Sequence, residues 1–396
     1  MIRLDSVSNK PGVLKNVAAE ALDRRSVYDP WFLFALISLL GMGLIMVTSA
    51  SLSFAEGIGT SSWYFALRHA VYLGSGFLLC LFAMTVPLAV WRALGITVLL
   101  STIVLLAVLL IPGISREVNG SVRWLFLGPI SIQVSELAKL AVIIYMAGYL
   151  VRKEKEVQTE AMGFLKPMGI VALISVLLIL EPDFGATVVV VSTVMGMLFL
   201  GGVPLRNFIL LLLMAILALG ALSVASPYRL QRLTSFLDPW SDQFNSGYQL
   251  TQSLIAFGRG GWFGTGLGNS VQKLLYLPEP HTDFIFAVLA EELGLVGALS
   301  ILFLFVLLVW RIFSLGKQAM HANNPFAGFL AYGIAFWFGL QAIINIGVNA
   351  GMLPTKGLTL PFMSYGGSSL MAGLLAAGIL MRIQFELASR PENCRK

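Results

Sequence analysis

Cysteine, histidine and charge are all scarce in this chain, and each scarcity closes off a line of chemistry. The two cysteines, Cys80 and Cys394, fall in an apolar run and in a polar tail, surroundings too unlike for a disulfide between them. Redox chemistry is not indicated. Of the three histidines, His281 has no second His or Cys at ligand spacing, which argues against a zinc site. Charged residues make up 12% of the 396 positions and hydrophobic ones 57%, with a mean hydropathy of +0.85. No soluble core of this length buries so much apolar surface. The basic excess, a net charge of +6, is spread over short loops and forms no aromatic-interleaved stripe, so it reads as membrane orientation and not as a nucleic-acid surface. Internal repeats and low-complexity linkers are also lacking.

What is present is a series of apolar runs near the length of about 20 residues that crosses a bilayer. Spans are expected at 31–51, 68–87, 94–111, 134–151, 167–180, 185–202, 208–225, 284–310, 327–348 and 368–382. The fold class is therefore an all-α integral membrane protein of about ten transmembrane helices, with a large loop, 226–283, between the seventh and eighth. A tail, 1–30, precedes a polytopic domain, 31–386, and a second tail, 387–396, follows it. The leading thirty residues exceed the n-region of a cleaved signal peptide, so the first run is read as a retained helix. Glu181-Pro182-Asp183 divides the fifth run from the sixth, because two carboxylates and a helix breaker do not fit mid-membrane. With ten crossings, 17 Lys/Arg fall on the side of the termini and 8 on the other, Lys139 lying inside a span. Both termini are then cytoplasmic and the long loop faces outward. Its aromatics, among them Tyr248, Phe257, Trp262, Phe263 and Tyr276, and the helical spacing at 248–257 predict short amphipathic or re-entrant pieces on the membrane surface.

Four clusters place polar or backbone-special residues where lipid gives little reason for them. Arg123-Trp124 is followed by Gln133-Val134-Ser135-Glu136 and Lys139; Glu136 and Lys139 share a helix face, as a structural ion pair or as a functional one. In Glu181-Pro182-Asp183-Phe184-Gly185, Asp183 is placed to cap the next helix. The run Gly258-Arg259-Gly260-Gly261-Trp262-Phe263-Gly264-Thr265-Gly266-Leu267-Gly268, with Lys273, is either a pliant turn or a set of free N–H groups for phosphate, with Arg259 and Lys273 supplying charge. It lacks the Gly-Lys-Ser/Thr ending of a nucleotide loop. It leads to Tyr276-Leu277-Pro278-Glu279-Pro280-His281-Thr282-Asp283. Asp283 stands at the head of the eighth span, either as an N-cap, whose pKa would be lowered, or as a catalytic carboxylate. From Asn345 to Ser369, glycines and prolines interrupt an apolar stretch, which predicts a re-entrant segment that projects Lys356 into a cavity, or a tightly packed small-residue contact.

Taken in order, Arg123-Trp124 with Gln133-Val134-Ser135-Glu136, Glu181-Pro182-Asp183-Phe184-Gly185, His281-Thr282-Asp283-Phe284 and Pro361-Phe362-Met363-Ser364-Tyr365-Gly366-Gly367-Ser368-Ser369 resemble the SEDS (shape, elongation, division and sporulation) family of bacterial membrane glycosyltransferases over nearly the whole chain. Leu353-Pro354-Thr355-Lys356-Gly357-Leu358-Thr359 is similar to its cell-division branch. The resemblance implies a peptidoglycan glycosyltransferase that polymerises lipid II into glycan strands at the outer face of the bacterial inner membrane, at the division septum. It places the essential aspartate on Asp283, as general base, and family polar positions on Glu136, Lys139 and Lys356; Arg123, Arg259, Lys273 and Ser364 are further candidates for substrate contact. The leaving group is undecaprenyl pyrophosphate, with a divalent cation, Mg or Mn, as the implied cofactor, Asp283 as its one candidate ligand, and no nucleotide. Implied partners are lipid II, the lipid-linked nascent glycan, a septal class B penicillin-binding transpeptidase (FtsI-like) and other divisome proteins (FtsQ-, FtsL- and FtsB-like). Two departures are Val134, where the family usually has proline, and Glu181, where it usually has glutamine. A lipid II flippase and a non-catalytic divisome scaffold are the rival readings; interrupted helices with buried charges also suit a transporter.

Overall fold

The computed structural model describes residues 27–389 except 114–115, 119–120, 128–129, 225–226 and 275. Most of the N-terminal tail and residues 390–396 lie outside that set. Three long helices open the fold: α1 (Pro30–Gly57), α2 (Tyr64–Thr85) and α3 (Leu88–Leu109). Pro30 sits in the first turn of α1, where its missing N–H costs nothing, and the Asp29 side chain accepts from the N–H groups of Trp31 (3.0 Å) and Phe32 (3.4 Å). Asp29 also pairs with Arg311, and its own N–H donates to Gln384 Oε1 at 2.9 Å. Three helices are thereby tied at the end nearest the termini.

A three-stranded antiparallel sheet follows, β1 (Arg116–Val118), β2 (Ser121–Leu127) and β3 (Ile130–Gln133), with Trp124 opposite Gln133. The span pattern does not predict it, because the strands are short and fall between two expected spans. Those β-favouring types let the connection between α3 and the next span satisfy its own backbone. Then come α4 (Val134–Arg152), a short α5 (Glu154–Thr159), α6 (Ala161–Leu180), α7 (Phe184–Leu200), α8 (Leu205–Val224), the loop helices α9 (Pro227–Leu237) and α10 (Tyr248–Gly260), then α11 (Ile285–His321), α12 (Pro325–Asn349) and α13 (Gly367–Ala388). Among the described residues nine helices are long and apolar enough to cross a membrane, and α7 is a shorter apolar helix of 17 residues. Several helices outrun the expected spans: α6 starts at Ala161 with Pro167 inside it, α11 continues to His321 and α13 to Ala388. Hydrophobicity marks where a helix meets lipid, and its polar ends extend past that boundary.

Helices α4 and α12 are the most enclosed of the spans, and α8 is peripheral. Side chains such as Leu67, Val71, Phe82, Leu217 and Phe303 cover the outside, where lipid replaces a protein partner. Helix α11 is two helices in one. Gly294 has φ +68° and ψ −166°, a conformation essentially restricted to glycine. Before it, Ile285 to Glu292 are all buried; after it, Leu295, Val296 and Leu299 are exposed toward lipid. The eighth span, expected to be continuous from 284 to 310, is thus a protein-enclosed segment followed by a lipid-facing one. Between α12 and α13 the chain is non-helical from 350 to 366, and Leu358, Leu360, Phe362, Met363 and Ser364 are buried within the protein. Irregular backbone at membrane depth is tolerated under those conditions.

Candidate functional site

The sheet, the α6–α7 turn, the 227–284 loop and the 350–366 segment meet at one end of the bundle. Arg123 on β2 donates through Nε to the Glu181 carbonyl at 3.3 Å and through Nη2 to the Pro182 carbonyl. Asp183 is the N-cap of α7, accepting from the Ala186 N–H at 3.1 Å and from the Ser135 hydroxyl at 2.8 Å. The turn between α6 and α7 is pinned from both sides, by a guanidinium on its carbonyls and by a hydroxyl on its cap.

Asp283 is placed differently. The N-cap position of α11 is Phe284, with no side-chain cap bond, and among the described residues no donor reaches the Asp283 carboxyl. The capping alternative is therefore set aside, and the work of a cap passes to Asn349, whose Oδ1 accepts from the Ala287 N–H at 3.0 Å. Burial first, then the Glu279 charge, with a smaller contribution from Asp183, push the Asp283 carboxyl up to about 7 against the opposing pull of Arg123 and Arg232. Desolvation and a like charge both disfavour the ionised form. Glu279 is itself held at φ +53° and accepts from the Thr282 hydroxyl at 3.1 Å. Arg232, on α9, donates to the Thr355 carbonyl at 3.3 Å.

Lys356 projects its ammonium over the Phe184 ring at 4.1 Å. It joins the re-entrant segment to the start of α7 by a cation–π contact. Glu136 and Lys139 form an ion pair of 2.7 Å, both nearly fully buried, and Lys139 also donates to Gln341 Oε1 at 2.7 Å. Gln341 passes the contact on, donating to the Thr359 carbonyl at 2.9 Å. The pair therefore braces α4 against α12 and the re-entrant segment. The two charges offset each other through Glu136 Oε1, while Glu136 Oε2 has no hydrogen-bond partner among the described residues.

Other predicted contacts lie apart. Arg259 is paired with Glu291 at 3.2 Å, and Lys273, almost fully buried, donates to Glu292 at 2.8 Å and to the Ser49 hydroxyl at 2.9 Å. Neither is among the charges acting on Asp283. In the glycine run, the N–H groups of Thr265 and Gly266 donate to the Glu291 and Glu292 carbonyls, each at 3.0 Å. Thr265, Gly266, Arg259 and Lys273 are thereby bonded to the broken start of α11. Ser364 is likewise occupied, its buried hydroxyl oxygen accepting from the Leu360 N–H at 2.7 Å.

Four residues that sequence reasoning did not single out belong to the site: Glu279, Arg232, Asn345 and Asn349. Glu279 lay in a quoted motif; Arg232 lay on a surface helix with no pattern to link it to Asp283. Glu181 is completely buried with neither carboxyl oxygen hydrogen-bonded, and burial, then Asp183, pushes it up to about 8. His281 is pushed down to about 4 by burial and stays neutral, stacked within an aromatic group of Phe54, Phe65 and Tyr365. Among the described residues no three His, Cys, Asp or Glu side chains come together as a metal-holding group.

Comparison with known proteins adds an independent line. A family model for FtsW, RodA and SpoVE, described as cell cycle protein, matches residues 30–389. A probable peptidoglycan glycosyltransferase FtsW of Legionella pneumophila is 55% identical over 361 residues, 91% of this chain and 92% of that one. The protein of the same name from Coxiella burnetii is 55% identical over 359 residues, 91% and 96% of the two chains. Among solved structures, one described as structural coordination of polymerization and crosslinking by a peptidoglycan synthase complex superimposes with a TM-score of 0.75 at 29% identity, covering 92% of this chain and 99% of the other. The rod shape determining protein RodA of Thermus thermophilus gives 0.66 at 28% identity, with 91% and 97% covered.

Proposed function

Because the chain belongs to the FtsW/RodA/SpoVE family of cell cycle proteins, a multi-pass membrane peptidoglycan glycosyltransferase, we propose that Asp283 is the general base of its reaction and that the polar end of the bundle is where lipid II is polymerised. One observation carries the assignment: a carboxyl with no hydrogen-bond donor among the described residues, raised to about 7 beside two arginines. A base poised near the working pH accepts a proton and still remains partly ionised.

The 4-hydroxyl of the acceptor N-acetylglucosamine gives its proton to Asp283 as its oxygen attacks the anomeric carbon of the donor, with inversion. The bond from that carbon to the pyrophosphate oxygen breaks, and undecaprenyl pyrophosphate leaves with the electron pair. Arg123, Arg232 and Lys356 are the cations whose placement suits the charge that develops on it. Glu136 and Lys139 hold α4 and the 359 region in register beneath them. Arg259, Lys273 and Ser364 support the site by keeping the loop and the re-entrant turn in shape. Among the described residues the donor set does not fit a resident metal held by protein alone. A Mg or Mn ion would come with the pyrophosphate, whose oxygens supply most ligands, with Asp283 or Glu279 supplying a carboxylate.

The Lys/Arg asymmetry supports an outward-facing site and cytoplasmic termini. Lipid II suits that side, since its pyrophosphate brings the leaving group that nucleotide sugars would supply in the cytoplasm. The partner is a septal class B penicillin-binding transpeptidase with a single membrane helix, next to FtsQ-, FtsL- and FtsB-like proteins; the likeness to a synthase complex supports a crosslinking partner.

The deciding experiment supplies purified protein and its transpeptidase partner with lipid II. Wild type makes glycan polymer, and Asp283→Asn binds lipid II with a normal melting profile yet makes at least about 100-fold less. Undiminished polymer from Asp283→Asn would remove the base. Movement of labelled lipid II across liposomes without polymer would favour the flippase.

A further inference from the structure

The backbone carbonyl of Asp283 is held by two side-chain amides of α12. Asn345 and Asn349, four residues apart on one helix face and both buried, each donate Nδ2–H to it at 2.9 Å. Asn345 has a second role. Its Nδ2 also donates to the Leu358 carbonyl at 2.6 Å. One amide therefore joins the residue that carries the carboxylate to the turn that carries Lys356, Gly357 and Leu358. Because both amide hydrogens are used, losing the group frees two segments that nothing else in the network connects in this way.

Gly357 lies on the other side of the same junction. It is exposed, and its φ lies outside the left-handed region, so its backbone does not require glycine. A β-carbon added there would meet only Asp283, with Oδ2 at 2.9 Å and Cγ at 3.8 Å. That contrasts with Gly264 and Gly294, whose added β-carbons would run into backbone atoms at 2.1 and 2.3 Å. The absent side chain at 357 leaves packing unaffected and keeps open the space beside one carboxylate oxygen.

We propose that Asn345 and Gly357 form the seat of the Asp283 carboxylate, Asn345 as a positioning residue that fixes its backbone against the Lys356 turn and Gly357 as the gap through which an acceptor hydroxyl approaches Oδ2. The proposal rests on Asp283 being the base, and deepens that reading. Nothing about Asn345 in the sequence separates it from an ordinary buried amide; its bonding to both segments does.

The test uses full-length protein with its transpeptidase partner and purified lipid II, measuring initial polymerisation rate against lipid II concentration so that the rate at saturation and KM are read separately. Asn345→Ala lowers the rate at saturating substrate by up to about 100-fold with little change in KM, the scale of a reacting group displaced by about 1 Å. Gly357→Ala lowers it on the order of tenfold, again with little change in KM, because the added methyl group occupies the space beside Oδ2. Its melting temperature stays that of wild type. Asn345→Asp, which keeps the shape and loses the donor pair, does no better than alanine. If Asn345→Ala fails to fold, Gly357→Ala decides. A wild-type rate at saturating lipid II in Gly357→Ala overturns the seat. Asp283→Asn runs in parallel: activity there overturns the base itself, whereas an inactive Asp283→Asn with normal Asn345 and Gly357 variants overturns the seat alone.

Discussion

Asp183 and Asp283 are the same residue type in similar places, each just ahead of an apolar helix, and the fold puts them to opposite uses. Asp183 accepts from a helix N–H and a serine hydroxyl; Asp283 accepts from nothing described and is raised to about 7. The sequence allowed capping for both, since it could not show that Asn349 already meets the helix N–H. The acid limb of kcat/KM should therefore lie near 7 and fall away below it as Asp283 takes up a proton. Removing a like charge with Glu279→Gln lowers that limb, and Arg232→Gln raises it. The sign for Glu181 follows from its rise from 4.5 to about 8. A carboxyl raised in the folded state is best tolerated below 4.5; its cost grows as pH climbs from there and levels off above about 8, where both states are ionised. Glu181→Gln is expected to raise the melting temperature relative to wild type, more at pH 8.5 than at pH 5, by thermal unfolding in detergent. At the buried pair, Lys139→Met alone costs about 3–5 kcal/mol, because Glu136 is left uncompensated. Combining it with Glu136→Gln returns much of that stability.

Among the elements, α11 shows how a loop and a helix specify each other. The 261–266 backbone bonds to both sides of the break: Leu295 N–H donates to the Gly261 carbonyl at 2.9 Å, Val296 N–H to Trp262 at 3.1 Å, and the loop's own N–H groups donate to Glu291 and Glu292. Such close approach leaves no room for side chains at Gly264 or Gly294. Gly294→Ala combines a glycine-only backbone with a clash and should cost at least about 1–3 kcal/mol, read as a lower melting temperature. Gly258→Ala, where a β-carbon meets nothing within 4 Å, should stay close to wild type in the same measurement. The glycine density was visible in the sequence, but its purpose was not. A phosphate cradle and a backbone-to-backbone contact ask for the same residues, and only the partner strand of atoms distinguishes them.

At the scale of the whole molecule, the bundle places its site by bringing sequence-distant turns to one end. Orientation can be read directly with single cysteines in a background lacking Cys394: Phe263→Cys, 83% exposed in the loop, should react with a membrane-impermeant maleimide in intact spheroplasts, and Lys155→Cys on α5 only after permeabilisation. The reverse pattern would put the site in the cytoplasm and end the lipid II reading. The sequence alone determined the membrane class, the approximate spans and the motifs that signal the family, because hydrophobic length and charge bias act locally along the chain. It also placed the Glu136–Lys139 pair, whose partners are one turn apart. Contacts between residues 62 to 160 positions apart, such as Asp283 with Asn345 and with Arg123, are decided by packing. So is the ionisation of a carboxylate, which depends on what surrounds it after folding and not on what precedes it in the chain.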